Sequence, residues 1–289
     1  MTERTVGGFR PERELADDLH PIRIFGATEA QAFGARARSS DARYIVRRAL
    51  DNPPSDQGRY SSCVGNGTAD ALEILMPVRE DISRLFIYWN ARRLNGDENK
   101  DAGSYIRLTA QSIVDHGVCR ETAWGYDQPV NERPDLGAYE EAYDHRLGYS
   151  PILGAQLASY RITSTGSTRG DDVEAAVRAD HPVILGVDVG EPFADYFAQP
   201  GGHDMVWSAP HRPIGKHCMA IVGVRRVSTG DRIFLLRNSW GPNGLAGYPG
   251  HAWMSSSWLD TADDLTVLTV APEFAARAHL DTDPAPAAE

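Results

Sequence analysis

Cysteine is scarce in this chain: Cys63, Cys119 and Cys218 are the only three among 289 residues. That is too few and too scattered for a disulfide framework, and an odd count leaves at least one free thiol. No CxxC pair is present, and no His/Cys group has zinc-ligand spacing, so a metal is not expected. Positive charge is also in deficit, with 29 Lys+Arg against 40 Asp+Glu and a net charge of −11. Such a balance argues against nucleic acid and anionic membranes as partners, since both would repel it. Long apolar runs are missing as well, and none approaches the roughly 18–20 residues of a membrane span. The opening MTERTVGGFRPERELADDLH has no uninterrupted apolar core of a secretory signal. The expectation is a soluble, cytoplasmic protein, its oligomeric state left open.

What is present is an ordinary globular composition, 42% hydrophobic and 24% charged, in a chain long enough for one large domain or two lobes. Residues 1–50 read as a partly ordered N-terminal extension with one short helix near 27–37. Helical spacing predicts helices over Cys63–Met76, Ser83–Leu94 and Ser104–Asp115. Gly65 and Gly67 weaken the first by about 1 kcal/mol each relative to alanine, which implies a backbone packed close against it. The second half changes period. After a short helix at 171–179, strand-like runs occupy 183–189, 219–224, 233–237 and 265–270, with 198–215 as a surface loop. Helices followed by strands predict an α+β protein with a cleft between two lobes. Residues 51–271 form the expected folded domain, and 272–289 a flexible Pro/Ala-rich tail.

Three short segments concentrate reactive residues: Asp56–Cys63, Gly215–Cys218 and Arg237–Gly241. Cys63 opens a helix, where the macrodipole and unsatisfied N–H groups stabilise a thiolate. Gln57, six residues upstream, can aim its amide in front of the sulfur and, with the Cys63 N–H, form an oxyanion hole. His217 begins a strand and is the residue type that serves as base to a cysteine. Asn238 ends the next strand and can orient the imidazole, with Trp240 shielding that contact. Cys218 and Cys119 read as core residues, as do Trp207 and Trp258; His203 and His211 read as loop residues.

In these residues the chain resembles the papain-like (C1-type) cysteine peptidases, in their compact bacterial form. The resemblance runs over roughly residues 50–260 and rests on Gln57 with Cys63, on Gly215-Lys216-His217, and on Asn238-Ser239-Trp240-Gly241. It implies a two-lobe fold, with a helical N-terminal lobe and a β-barrel-like C-terminal lobe flanking the active-site cleft. It further implies peptide-bond hydrolysis through a Cys63–His217–Asn238 site and a thioester, without a cofactor, on a peptide or protein substrate. Ala102-Gly103 occupies the place that lines the cleft and pairs with extended substrate, beside Trp240. There are departures: Val64 replaces an aromatic residue, Ser61 a glycine, and Tyr60 removes a disulfide found near the nucleophile in secreted relatives. Lys216 adds a cation that would oppose charge on His217. Two other readings of the same residues are an acyl transferase, ligase or cyclase on a peptide-derived substrate, and a catalytically silent binding module.

Overall fold

The structure is a computed structural model that describes residues 6–12, 23–25, 31, 42–76, 81–144 and 157–270. The helix expected near 27–37, apart from residue 31, and the tail at 272–289 lie outside the described residues. Helix α1 (Cys63–Leu75), α2 (Arg84–Leu94) and α3 (Ile106–His116) form the first lobe. Helix α1 is buried on every side over its first ten residues, since it is wedged between the other helices and the sheet. Of its two glycines, Gly65 is the one that approach requires. A β-carbon on Gly65 would lie 2.8 Å from the Arg84 carbonyl oxygen, and one on Gly67 would lie 3.4 Å from the Cys218 sulfur. Ser83 caps α2 by accepting from the Phe86 N–H at 3.1 Å, as N-cap hydroxyls do. Gly117, at φ 77°, stops α3, a left-handed position that glycine adopts without a β-carbon penalty.

Helix α4 (Leu136–Asp144) completes the first lobe, and the second is built on a sheet. Its strands are β1 (Arg23–Phe25), β2 (Arg43–Ile45), β3 (Leu157–Ile162), β4 (Val183–Gly190), β5 (Val206–Trp207), β6 (Pro213–Arg226), β7 (Arg232–Arg237), β8 (His251–Ser255) and β9 (Asp264–Val270). They are ordered β1-β3-β9-β4-β6-β7-β8-β5, with β2 added against β6. This is the α+β two-lobe fold that the sequence pattern implies. The sheet, however, is open rather than barrel-like among the described residues, its path ending at β1 and β5. Helices α5 (Gly166–Arg178), α6 (Glu191–Ala198) and α7 (Ser256–Leu259) lie along it.

One strand differs from the sequence expectation. Strand β6 begins at Pro213, six residues before its apolar run, because its polar first half pairs with β4 from Gly190 to Val187. Backbone pairing, not apolar periodicity, extends it, and it takes in part of the supposed loop at 198–215. Residues of the extension are also built into the fold: β2 pairs with β6, and Val46 and Ala49 are buried in the β-lobe core. Among the described residues no helix is long and apolar enough to cross a membrane, and all three cysteines are free.

Candidate active site

The register of β4, β6 and β7 sets His217 opposite Val187 and leads Arg237 to pair with Ala220, so Asn238 emerges beside His217. The His217 Nε2 and Asn238 Oδ1 are 2.7 Å apart. Asn238 Oδ1 also accepts from the Ser239 N–H at 2.8 Å, which fixes the amide's orientation. Trp240 stacks on the imidazole with ring centroids 4.3 Å apart and planes 25° from parallel, and Phe193 and Phe197 pack against the indole. The imidazole Nδ1 is buried with no hydrogen-bond partner among the described residues.

Helix α1 brings Cys63 to this strand. The thiol sits within hydrogen-bonding reach of the Cys218 N–H, one residue from His217. A buried ion pair joins the two halves: Arg237, next to Asn238, meets Asp70 two turns along α1, with Nε 3.3 Å from Oδ2. The guanidinium also donates to the carbonyls of Ala49, Asn52 and Pro53.

Gln57 arrives by a second backbone ladder. Its N–H donates to the Ser239 carbonyl at 2.9 Å, Gly241 N–H donates to the Ser55 carbonyl at 2.9 Å, and Asp56 bridges Trp240. Gln57 Oε1 accepts from the Ser239 hydroxyl at 2.8 Å, and Nε2 donates to the Tyr60 carbonyl at 3.0 Å. A primary amide carries two N–H donors, so one remains after this anchoring. The loop it stands on is held by Tyr126, whose hydroxyl donates to the Gln57 carbonyl at 3.1 Å and contacts Ser62.

Cys63 and His217 are both fully buried at 0% exposure, because residues 6–12 run through the cleft. Ser104 N–H donates to the Gly8 carbonyl at 2.8 Å, and Arg10 N–H donates to the Ser104 carbonyl at 2.9 Å. Gly8 passes so close to Ser61 and Gly103 that a β-carbon on it would overlap the Ser61 backbone. Phe9 is 4% exposed and packs in one cluster with Cys63, Val64, Ile184 and Cys218. Its ring fills the space left by the missing side chain of Gly186. Arg10 pairs with Asp97 at 2.7 Å. Beyond it, Glu12 donates its N–H to Asp264 and meets Arg161 at 3.1 Å.

Burial sets the ionisation of this closed site. Desolvation pushes the Cys63 thiol up to about 12, outweighing the N–H groups of Cys218, Val64 and Cys63 that favour the anion. It pulls His217 down to about 4, against the Asn238 hydrogen bond. The thiolate expected from the helix start is therefore overruled while the cleft is filled: an apolar cover costs the anion more than the helix end returns. Lys216 is turned away from the imidazole, pairing with Asp188 at 2.9 Å and Asp263 at 2.6 Å.

Cys63, His217, Asn238, Gln57 and Trp240 thus converge. Of the two residues expected to meet extended chain, Ala102 is exposed and Gly103 gives its N–H to the Tyr88 hydroxyl at 3.0 Å. The main-chain pairing at this edge is made by Ser104, one residue further on. Phe9 and Tyr126 escaped the sequence reading; Asp101 stands in the Asp101-Ala102-Gly103 segment and Tyr88 in the helix before it, and only their contacts mark the part these four play. No group of three or more His, Cys, Asp or Glu residues placed to hold a metal occurs among the described residues.

No protein-family model matches the chain. It is 33% identical over 220 residues, 72% of its own length and 67% of the relative's, to an uncharacterized peptidase C1-like protein of Acanthamoeba polyphaga mimivirus. Among solved structures it is similar to xylellain, a cysteine protease from Xylella fastidiosa. That match has a TM-score of 0.68 and 23% identity, over 93% of this chain and 98% of the other. It is also similar to procathepsin B from Trypanosoma congolense, with a TM-score of 0.61 and 13% identity over 92% and 85% of the two chains. With the sequence relative, the shared fold and the converging Cys, His and Asn side chains together, this chain belongs to the papain-like, C1-type family of cysteine peptidases.

Proposed function

We propose that Cys63 is the nucleophile, His217 the base and acid, and Asn238 the residue that orients it. The observation that carries this is the His217–Asn238 pair under Trp240, with the Cys63 thiol against the main chain of the residue beside His217. In the reaction the thiol proton passes to His217 Nδ1, and the sulfur attacks the substrate carbonyl carbon. The Cys63 N–H and the second Gln57 N–H stabilise the oxyanion. His217 then returns the proton to the leaving amine, giving a thioester and a shortened peptide. Water, deprotonated by His217, attacks the thioester, and the acid leaves as the thiol is restored.

A fully buried nucleophile cannot meet a substrate, so this reading requires residues 6–12 to leave the cleft. The substrate is a peptide or protein bound in extended form along the Ser104 edge that the cover now occupies, with Trp240 closing the wall beside His217. The acidic balance disfavours nucleic acid and anionic membrane as partners, and three free cysteines suit a reducing compartment such as the cytoplasm.

Product mass tests the reaction. A mixed set of peptides incubated with the protein should give fragments whose summed mass exceeds the parent by one water. A joined or cyclised product lacking that water would assign ligation instead. Cys63→Ala should abolish turnover, His217→Ala should lower kcat by about 10²–10⁴, and Gln57→Ala by about 10²–10³. Unchanged turnover in Cys63→Ala would refute the assignment.

A further inference from the structure

The loop before the nucleophile has no disulfide to hold it, since all three cysteines are free. A polar bridge occupies that region. The Ser61 N–H donates to both Asp101 carboxylate oxygens, at 3.0 and 3.1 Å. Tyr88 donates its hydroxyl proton to Asp101 Oδ1 at 2.7 Å, and that same hydroxyl accepts from the Gly103 N–H at 3.0 Å. One carboxylate and one phenol therefore join the loop carrying the oxyanion donors to the edge where Ser104 pairs with extended chain.

The phenol is itself fixed. Tyr88 is fully buried in α2, packed where Gly65 lets α1 and α2 close together, with the Arg92 guanidinium 4.1 Å over its ring. Arg92 also donates to the Lys100 carbonyl, steadying the chain that leads into Asp101. Asp101 itself is exposed, and its charge opposes ionisation of Cys63, behind the larger effect of burial. A surface carboxylate that disfavours the thiolate makes chemical sense here through the hydrogen bonds it holds.

We propose that Asp101 and Tyr88 are positioning residues. They keep the Ser61–Cys63 turn, and so the Cys63 N–H and the Gln57 amide, in register with the Ser104 edge. Transition-state stabilisation by oriented N–H donors falls steeply when they are misplaced. Neither residue touches the reacting atoms. The inference rests on the peptidase reading, and its test separates the two.

The test compares Asp101→Ala, Asp101→Asn and Tyr88→Phe in the full chain carrying Phe9→Ala, which weakens the cover. Turnover of a fluorogenic peptide amide is measured beside iodoacetamide alkylation of Cys63, which uses the thiolate but no oxyanion hole. Asp101→Ala should lower kcat about ten- to hundredfold, while alkylation is unchanged or faster because an opposing charge is gone. Asp101→Asn keeps an oxygen for the Ser61 N–H and should recover kcat to within about threefold of the background. Tyr88→Phe removes the link to Gly103 and should raise KM more than it lowers kcat. Equal kcat in Asp101→Ala and the background, parallel loss of kcat and alkylation, or an asparagine variant as poor as alanine would each overturn the proposal. Amide exchange at Ser61 gives a reading independent of turnover. It should quicken in Asp101→Ala, and unaltered exchange would also overturn the bridge. A background that alkylates but never turns over peptides would instead count against the peptidase reading.

Discussion

Replacing Phe9 by alanine should unmask Cys63, and the size of the effect can be worked from the closed site. Burial takes the thiol from 9.0 up to about 12, so at neutral pH the anion is about a thousandfold rarer than in an ordinary cysteine. Alkylation of Cys63 therefore proceeds through molecules whose cover has lifted, and its rate follows their fraction. Phe9 is 4% exposed and sits in the same cluster as the nucleophile. Truncating a buried phenylalanine to alanine costs about 3–5 kcal/mol. At about 1.4 kcal/mol per decade, even the low end raises the open fraction about a hundredfold. Arg10→Ala is the contrasting perturbation: its half-exposed pair with Asp97 is worth about 0–1 kcal/mol, so it should change the rate less than about fivefold. The assay is iodoacetamide labelling read by peptide mass between pH 5 and 9, with Cys119 as internal control. It is a buried thiol pushed upward by desolvation, in a cluster apart from Phe9, and it reports general loosening. Phe9→Ala should speed Cys63 and not Cys119, and move the Cys63 midpoint downward as solvent and the α1 N-terminus take over from the apolar cover. An unchanged Cys63 rate, or a parallel rise at Cys119, would refute the view that this segment closes the site.

Acid should destabilise the folded chain through two buried neutral histidines, His217 and His251, both lowered to about 4 chiefly by burial. Their folded values lie below the unfolded 6.5, so the stability they permit is complete above pH 6.5 and lost as pH falls toward 4. Each loss amounts to about 3 kcal/mol; melting scans of a His217→Gln/His251→Gln chain should therefore show a shallower decline over that window, and equal slopes would contradict it. Gly65→Ala and Gly67→Ala should diverge in chemical denaturation. The first forces a β-carbon to 2.8 Å from a backbone oxygen and should cost about 1–3 kcal/mol. The second meets ordinary contact distances and should gain up to about 1 kcal/mol of helix propensity. Asp70→Ala leaves Arg237 buried without its carboxylate and should cost about 3 kcal/mol. That is the low end for a broken buried pair, because Glu73, held up at about 7 by burial and then by Asp70, can ionise in its place. A loss below about 1 kcal/mol would show that the three carbonyls alone satisfy the guanidinium.

The reach of the sequence is clearest at helix and strand centres. Apolar spacing placed α1, α2 and α3 to within two residues at each end, since their buried faces repeat with the helical period. Strand β6 was found only in its apolar half, because pairing of main-chain groups with β4 leaves no mark on side-chain pattern. Helices α4 and α6 and strands β3 and β8 went unread. They are short elements held by packing and ladder hydrogen bonds, where local preference is weak.

For the site itself, residue type and order were sufficient to nominate Cys63, His217, Asn238, Gln57 and Trp240, because the chemistry demands a thiol, an imidazole, an orienting amide and an N–H donor. Their ionisation was not legible. The same helix start that favours a thiolate in water holds a neutral thiol here, since desolvation depends on what lies across the cleft, and Phe9 comes from 54 positions upstream. Nor does any local pattern show that Asp101 and Tyr88 bridge the nucleophile loop to the Ser104 edge, or that Asp70 meets Arg237. The chemistry was written in the kinds of residues and their order along the chain. The state of that chemistry, closed and uncharged, was decided by contacts between segments far apart in sequence, where burial and hydrogen bonding act on distance in space alone.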